Sequence, residues 1–575
     1  VIVSETEFNP HWGDVGVFTN AAKCSECHTA STDGSGVMRL PQTAQGADIS
    51  PAAGWRHSLM AHAWNDPYFQ ATVEDQVAEF SAYAGNIEDK CLTCHSPMAH
   101  TTAHATGQGL STSDCSLNGS CYRIETAEQD NHAREGVSCT VRHQMRHGGE
   151  ELNSGNYSIA GEDDENARII YGPFSNPRTQ PMANNTQYQV ARGDYISASE
   201  HCGSCHELDT PTFDINTGHP AAPAQKLREQ AAYSEWNNSS YADGGADDRS
   251  CQDCHTQGPG NYQTPIAIMR SGSANPGWPQ REPFSLHSVA GGNTYVLGLL
   301  KTWRKELGIA DTTTEAGFDQ AIASGRASLG RAATVALLSP QLNGNELELD
   351  VRIENRTGHK LPTGYPSRRM WLHLTVSDAT GKVLFESGKP DDRGNLALDA
   401  QQLAPACLAL AKDESFSNAY CYVPHRNDIS DARQVPVYES VMADTNGHIV
   451  YSLLYGATYL KDNRIPPAGF SSDGANYDVA TASVGAALGD SDFNREEGRQ
   501  GSGSDTVHYE IELDKNAAGP LSVDVRLWYQ SIRPAFLASM SHRGEKTDRL
   551  RLMTQQQPPL PELLARQTLV VPPRG

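Results

Sequence analysis

At 575 residues the chain has room for three or four domains of roughly 100–200 residues each, so one continuous core is not expected. Lys and Arg number 45 against 69 Asp and Glu, a net charge of −24, which is the wrong sign for neutralising phosphates and excludes nucleic acid as a partner. Hydrophobic residues make up 38% of the chain, and its apolar runs fall far short of the roughly 18–20 residues that span a bilayer, so no transmembrane segment is expected.

In chain order the first chemical signal is Cys24-Ser25-Glu26-Cys27-His28. A helix is expected over 55–64, with Trp55, Leu59 and Ala63 on one face, and a second from the Asn65-Asp66-Pro67 cap to about residue 83. Cys91-Leu92-Thr93-Cys94-His95 follows, then Cys139-Thr140-Val141-Arg142-His143, then Cys202-Gly203-Ser204-Cys205-His206. A helix is expected over about 224–237, ahead of Cys251-Gln252-Asp253-Cys254-His255. After His287 the texture changes. The stretches 295–307 and 315–331 read as helices, and from Ala333 alternation takes over, with strict period two across 346–353. Strands are expected at 370–376 and 382–386, as a hairpin around Thr380-Gly381, and 509–513 is expected to pair with 521–528.

Four of the five cysteine segments are complete CxxCH strings, the attachment motif of c-type haem. Two thiols add across the haem vinyl groups, and the histidine directly after the second sits under the iron as its proximal ligand. From the Cys and His content, chance would supply roughly 0.02 such strings. Zinc knuckles also use CxxC, but they pair two knuckles or place their histidines farther away. The cofactor expected is therefore haem c, bound through Cys24, Cys27 and His28; Cys91, Cys94 and His95; Cys202, Cys205 and His206; and Cys251, Cys254 and His255.

The fifth segment keeps Cys139 and His143 but has Arg142 where the second cysteine belongs, a change of one nucleotide in the codon. One thioether and an iron–histidine bond suffice to hold a haem, so a fifth is expected there. The cysteine count agrees. Of thirteen cysteines, eight go to the complete motifs, while Cys115/Cys121 and Cys407/Cys421 are close-spaced disulfide candidates, which leaves Cys139. Disulfides and covalent haem both belong outside the cytoplasm, and the absence of a basic-then-apolar leader before Val1 is read as a signal peptide already removed, giving a periplasmic or extracellular protein.

With these motifs the chain resembles multihaem c-type cytochromes of the tetrahaem-cytochrome superfamily that carry a C-terminal β-sandwich. The similarity extends to CHSPMA at 94–99, EGVSCTV at 135–141, YGPF at 171–174, GHKLPTG at 358–364 and LKDNRIPPAGF at 460–470, and it covers most of the chain. It implies a loop-rich, partly α-helical multihaem domain over 1–290, a helical connector over 291–335, and an antiparallel β-sandwich over 336–575. In the resembled family cysteine usually stands at the position of Arg142, which implies an ancestral five-haem layout.

Sixth ligands come from the sixteen histidines outside the motifs, many of them before residue 290, a density that favours bis-histidine irons closed to substrate. His287 and His359 sit in settings like those of the resembled family, and His359 would tie the β domain to a haem. Met60 lies where related cytochromes often have a ligand, with His57 and His62 as competitors, and His104 and His219 complete the candidate set, beside His100, His132, His147 and His201.

The leading functional expectation is an electron-transfer protein and not a catalyst, working with redox partner proteins or neighbouring cytochrome subunits. One alternative is an oxidoreductase acting on a small nitrogen or sulfur species at an open iron, the irregular Cys139/His143 site being the natural place. No CxxCK variant, which marks the catalytic haem of many nitrite reductases, is present, and the net charge repels anions, although Arg123, Arg134, Arg142 and Arg146 lie near that site. The resemblance also implies homo-oligomers or filaments, in which a terminal histidine such as His11 ligates a haem of the next subunit.

Overall fold

The computed structural model describes residues 17–149, 151–159, 168–221, 225–396, 421–514 and 520–572. It divides into two compact units that interleave along the sequence. One comprises 1–205, 250–325 and 542–553, the other 206–249, 326–541 and 554–575. The expected boundaries at 290 and 335 follow the sequence linearly, whereas the 206–249 segment belongs with the β-rich unit and 542–553 with the cysteine-rich one.

The cysteine-rich unit is built from short helices and loops. Helix Pro67–Glu79 starts as its sequence requires, with proline in the first turn and Asp66 Oδ1 accepting the main-chain N–H groups of Tyr68 and Phe69 at 2.8 and 3.3 Å. The helix expected over 55–64 is instead Pro51–Arg56, followed by turns to Asn65. Tertiary hydrogen bonds displace the helical pattern there. Trp55 Nε1 donates to Val137 O at 2.8 Å, and Val137 N donates to Met60 O at 2.8 Å. Gly136 makes the approach feasible, since it has φ +60° and a Cβ there would stand 2.6 Å from Met60 O.

Apolar packing in this unit is divided among small clusters. One gathers Val37, Met38, Ile49, Tyr262 and Phe284, a second Trp64, Leu92, Tyr122 and Ala133, and a third Phe18, Met98, Val141 and Ile159. Such satellite clusters accompany long loops, where no single contiguous core forms. Cys115 and Cys121 form a disulfide. The late helix Glu545–Gln556 is held through Glu74, whose carboxylate accepts the N–H groups of Lys546 and Thr547.

Among the described residues the β-rich unit is built around two large sheets, beside smaller two-stranded ones. Four strands run in the order Ala333–Asn343, Glu346–Asn355, Ser504–Glu512 and Asp428–Ile429, the last pair parallel. The larger sheet runs Ile449–Val450, Val437–Ala443, Arg369–Ser377, Leu521–Gln530 and Glu562–Val571, with Val383–Ser387 and Thr458–Asp462 paired alongside. The period-two strand Glu346–Asn355 buries Leu347, Leu349, Val351 and Ile353, which meet Met370, Leu372, Leu374, Val523 and Val525 of the other sheet in one core.

The hairpin across Thr380-Gly381 forms, Arg369–Ser377 pairing antiparallel with Val383–Ser387. The pairing expected between 509–513 and 521–528 does not. Ser504–Glu512 pairs with Glu346–Asn355 and Leu521–Gln530 with Arg369–Ser377, so the chain changes sheets between them. The helix expected over 224–237 is strand Lys226–Ala231 followed by helix Ala232–Asn237, because the strand finds Glu207–Pro211 as its partner. The 295–307 helix is shorter, Thr294–Thr302, and the 315–331 helix spans Glu315–Ala332. Among the described residues no helix is long and apolar enough to cross a membrane.

Candidate haem sites

Each cysteine motif is helical: Ala21–Ser25, Ala84–His95, Cys139–Arg142, Ser199–His206 and Cys251–His255 carry or adjoin them. Cysteines three apart followed by a histidine therefore share one helical face. Ser250 starts the last of these helices with a capping box, its hydroxyl accepting from Asp253 N and Asp253 accepting from Ser250 N. Cys421 is disulfide-bonded, and Cys407 lies outside the described residues.

Four motif histidines share one orienting device. His28 Nδ1 donates to Ile266 O at 2.7 Å, His95 Nδ1 to Ala63 O at 2.8 Å, His143 Nδ1 to Tyr171 O at 2.7 Å and His255 Nδ1 to Ala290 O at 2.8 Å. A carbonyl fixes the tautomer, so Nε2 is left as the lone-pair nitrogen, the arrangement of a metal-ligating histidine with its supporting shell. Two of these anchors are reciprocal, Tyr171 N donating to His143 O and Ala290 N to His255 O. Tyr171 opens the YGPF stretch and Ala290 precedes Gly291, so both sequence neighbourhoods have a structural part. Burial pushes His95 and His143 down to about 4 and also lowers His28, keeping these imidazoles in the neutral, ligating form. His206 lies in the β-rich unit, directly after Cys205, the last residue of its segment of the other unit.

The irregular motif is therefore built like the complete ones, and it has a companion. The His287 ring lies near that of His143, with centroids 6.4 Å apart and planes 11° from parallel. His287 Nδ1 donates to Ser285 O at 3.0 Å. Burial first, then the neighbouring His143 and Arg142, push His287 down to about 3. Gly54 permits helix Pro51–Arg56 to pass close by, because a Cβ there would stand 2.9 Å from Ser288 N and 3.0 Å from the His287 carbonyl carbon.

The motifs also touch one another. The Cys24 thiol meets that of Cys139 and is pushed up by this hydrogen bond first and by burial second. Cys205 likewise meets Cys94, and Cys202 meets Cys251. The Arg142 charge acts on Cys202, His201 and His287 alike, so the irregular segment lies within the same cluster.

The remaining candidates divide by their nitrogen partners. His57 has both nitrogens engaged, Nδ1 donating to Ala53 O at 2.8 Å and Nε2 accepting from Thr314 N at 3.2 Å. His104 Nε2 is 2.7 Å from Asp89 Oδ1, with His100 alongside. His62 donates from Nε2 to Arg56 O at 3.0 Å while its buried Nδ1 has no partner. Met60 is half-buried, and its described bond is through its main chain. His219 is exposed in the turn after Asp214. His359 is half-buried in the β-rich unit, with Nδ1 donating to Lys360 O at 3.0 Å. Its loop is fixed by Lys360, whose buried ammonium pairs with Asp462 at 2.8 Å while Arg464 bridges Asp462 and Glu235.

Two histidines that the sequence gives no means of ranking stand out. His132 Nε2 and His201 Nδ1 are buried without a hydrogen-bond partner. Buried polar nitrogens left so are rare and need a ligand or water to explain them, which is the condition of an imidazole placed for a metal. The donor set of the unit thus fits haem: thiols in helical pairs, neutral histidines with aimed Nε2 atoms, and spare buried imidazoles.

No protein-family model matches the chain, and no curated protein does. Among solved structures it is similar to the penta-heme cytochrome c552 from Thermochromatium tepidum, at 14% sequence identity and a TM-score of 0.46, with 96% of this chain and 99% of that chain covered.

Proposed function

We infer that the chain is a multihaem c-type cytochrome of the periplasm or cell exterior that relays electrons through five closely spaced haems, the β-sandwich unit serving as a docking or structural module. The observation that carries this reading is the shared orientation of His28, His95, His143 and His255, each with Nδ1 tied to a main-chain carbonyl at 2.7–2.8 Å. When bound, haem c supplies a one-electron iron couple. The chain's own residues do the rest. Paired thiols fix each group covalently, Cys139 alone does so in the irregular segment, and the carbonyl-anchored histidines hold Nε2 in place. Contacts between thiols of different motifs support short distances from site to site.

Metal–imidazole bonds are about 2 Å long, so two rings ligating one metal from opposite sides have centroids roughly 6 Å apart. The His143–His287 spacing of 6.4 Å with near-parallel planes supports these two as the residues that would hold one iron between them. That pairing argues against an open iron at the irregular segment, where the sequence left room for substrate chemistry. His359, His132 and His201 are the further sixth-ligand proposals, and the redox partners are other electron-transfer proteins or neighbouring copies.

Spectropotentiometry of the purified protein tests this reading. The expected result is reversible reduction through several overlapping one-electron steps, with ferric spectra almost wholly low-spin and no multiple turnovers of nitrite, hydroxylamine or sulfite. A strong high-spin signal accompanied by steady turnover of any of the three overturns it.

A further inference from the structure

The β-rich unit contains a buried charge cluster that lies apart from every cysteine motif in sequence. It joins His425, Asp490, which follows the short helical turn Ala486–Gly489, and Asp505 at the start of strand Ser504–Glu512. Asp505 is wholly buried and Asp490 nearly so, and the His425 side chain is 3% exposed. One ligand atom from each lies within 4.8 Å of the other two.

Their hydrogen bonds leave the cluster incomplete. His425 Nε2 is 2.8 Å from Asp490 Oδ2, and His425 Nδ1 is 3.0 Å from Asn463 Nδ2. Asp505 Oδ2 accepts from the Tyr438 hydroxyl at 2.5 Å, whereas Asp505 Oδ1 is buried with no hydrogen-bond partner. Two buried carboxylates thus face one imidazole, and one carboxylate oxygen is unmet. Buried charge in that condition is expensive unless a counter-ion compensates it. Asn427 holds Asp490 from the other side, its amide nitrogen donating to Thr506 O at 2.8 Å and to Asp490 Oδ2 at 3.2 Å, which leaves the Asp505 oxygen as the unmet atom of the cluster.

We propose that His425, Asp490 and Asp505 bind one divalent first-row metal ion of the zinc or manganese class, separate from the haems. The donor chemistry selects the class: imidazole suits transition ions, carboxylate oxygens suit zinc and manganese, and magnesium and calcium favour all-oxygen sites. In a tetrahedral zinc site adjacent donor atoms are about 3.3 Å apart, so the His425–Asp490 contact opens by about half an ångström as the ion displaces the shared proton. The role is structural. Tyr438 belongs to the larger sheet and Asp505 to the smaller, so an ion at Asp505 reinforces their link together with the loops bearing His425 and Asp490.

Elemental analysis of the full-length holoprotein tests the site, with iron counting the haems in the same sample. About one equivalent of zinc or manganese per chain is expected beyond iron, because a buried three-residue site retains its ion through purification. Dialysis against dipicolinate should remove it and lower the unfolding midpoint of the β-rich unit by several degrees, and zinc chloride alone should restore both, where magnesium chloride does not. Asp505→Asn should lose the ion and keep the iron count. Should that variant fail to fold, chelation and reconstitution of the wild type decide the matter. Wild-type protein that holds neither zinc nor manganese even after both are offered overturns the site, as does an Asp490→Asn/Asp505→Asn protein that keeps its full metal content.

Discussion

Replacing His287 by alanine removes one ring of the near-parallel pair it forms with His143 and touches no attachment cysteine. The covalent haem count is therefore expected to stay the same. One iron in five loses its sixth ligand, so about 20% of the ferric low-spin signal should convert to high-spin or weak-field ligation. The geometry also says which part. Ring planes 11° apart give a rhombic low-spin signal of the parallel-plane type, and that component should vanish from the electron paramagnetic resonance spectrum while signals from crossed ring planes remain. With one imidazole donor gone, the potential of that couple should rise. The deletion leaves a void the size of the lost ring, open enough to solvent for a small ligand to enter, so added imidazole should refill it and restore the low-spin signal, a rescue that no merely structural role of His287 would permit. An unchanged rhombic component and unchanged couples in His287→Ala would refute the pairing.

Other outcomes follow from the same residues. Arg142→Cys restores a complete motif, so its haem should gain a second thioether, shown by a blue-shifted pyridine haemochrome for that group, and should be reduced at lower potential because a buried-edge positive charge is lost. His359→Ala should leave the covalent haem count intact while making one haem five-coordinate or weak-field, and unaltered low-spin spectra and couples would reduce His359 to a loop histidine. Glu229 supplies a pH test away from the haem motifs: burial pushes its carboxyl up from 4.5 to about 7 despite the hydrogen bond from Thr210. Its folded-state value exceeds the unfolded one, so its stabilising contribution is complete below pH 4.5 and is lost as the pH rises through 7. Glu229→Gln should therefore flatten the decline, with a gain of about 3 kcal/mol above pH 8 in chemical denaturation, and an equally steep decline in the variant would contradict the assignment.

The attachment chemistry was legible in the sequence because it is local: two thiols and an imidazole within five residues need no tertiary knowledge. Strand Glu346–Asn355 was legible for the same reason, its period of two recording which face is buried. What failed depended on distant partners. The 55–64 pattern is helical in isolation, but Val137 and Gly136 claim its main chain after Arg56. Residues 226–231 have helical composition and become a strand because Glu207–Pro211 offers a ladder. Strands 504–512 and 521–530 look like a hairpin and enter different sheets, since their burial patterns are satisfied equally by other partners. The ligand set divides likewise. Motif histidines are fixed by adjacency, whereas the His143–His287 apposition, the partnerless nitrogens of His132 and His201, and the hydrogen bond from Thr314 to His57 arise only when the chain folds.

The haem count per chain tests the central claim most directly, because the reading makes the irregular segment a working site. Intact mass under denaturing conditions, followed by peptide mapping, should give five covalent haems, with a single thioether at Cys139 and no alkylation of that thiol. A mass equal to four haems, with Cys139 freely alkylated, would contradict it and leave the His143–His287 pair without the group it is built to hold.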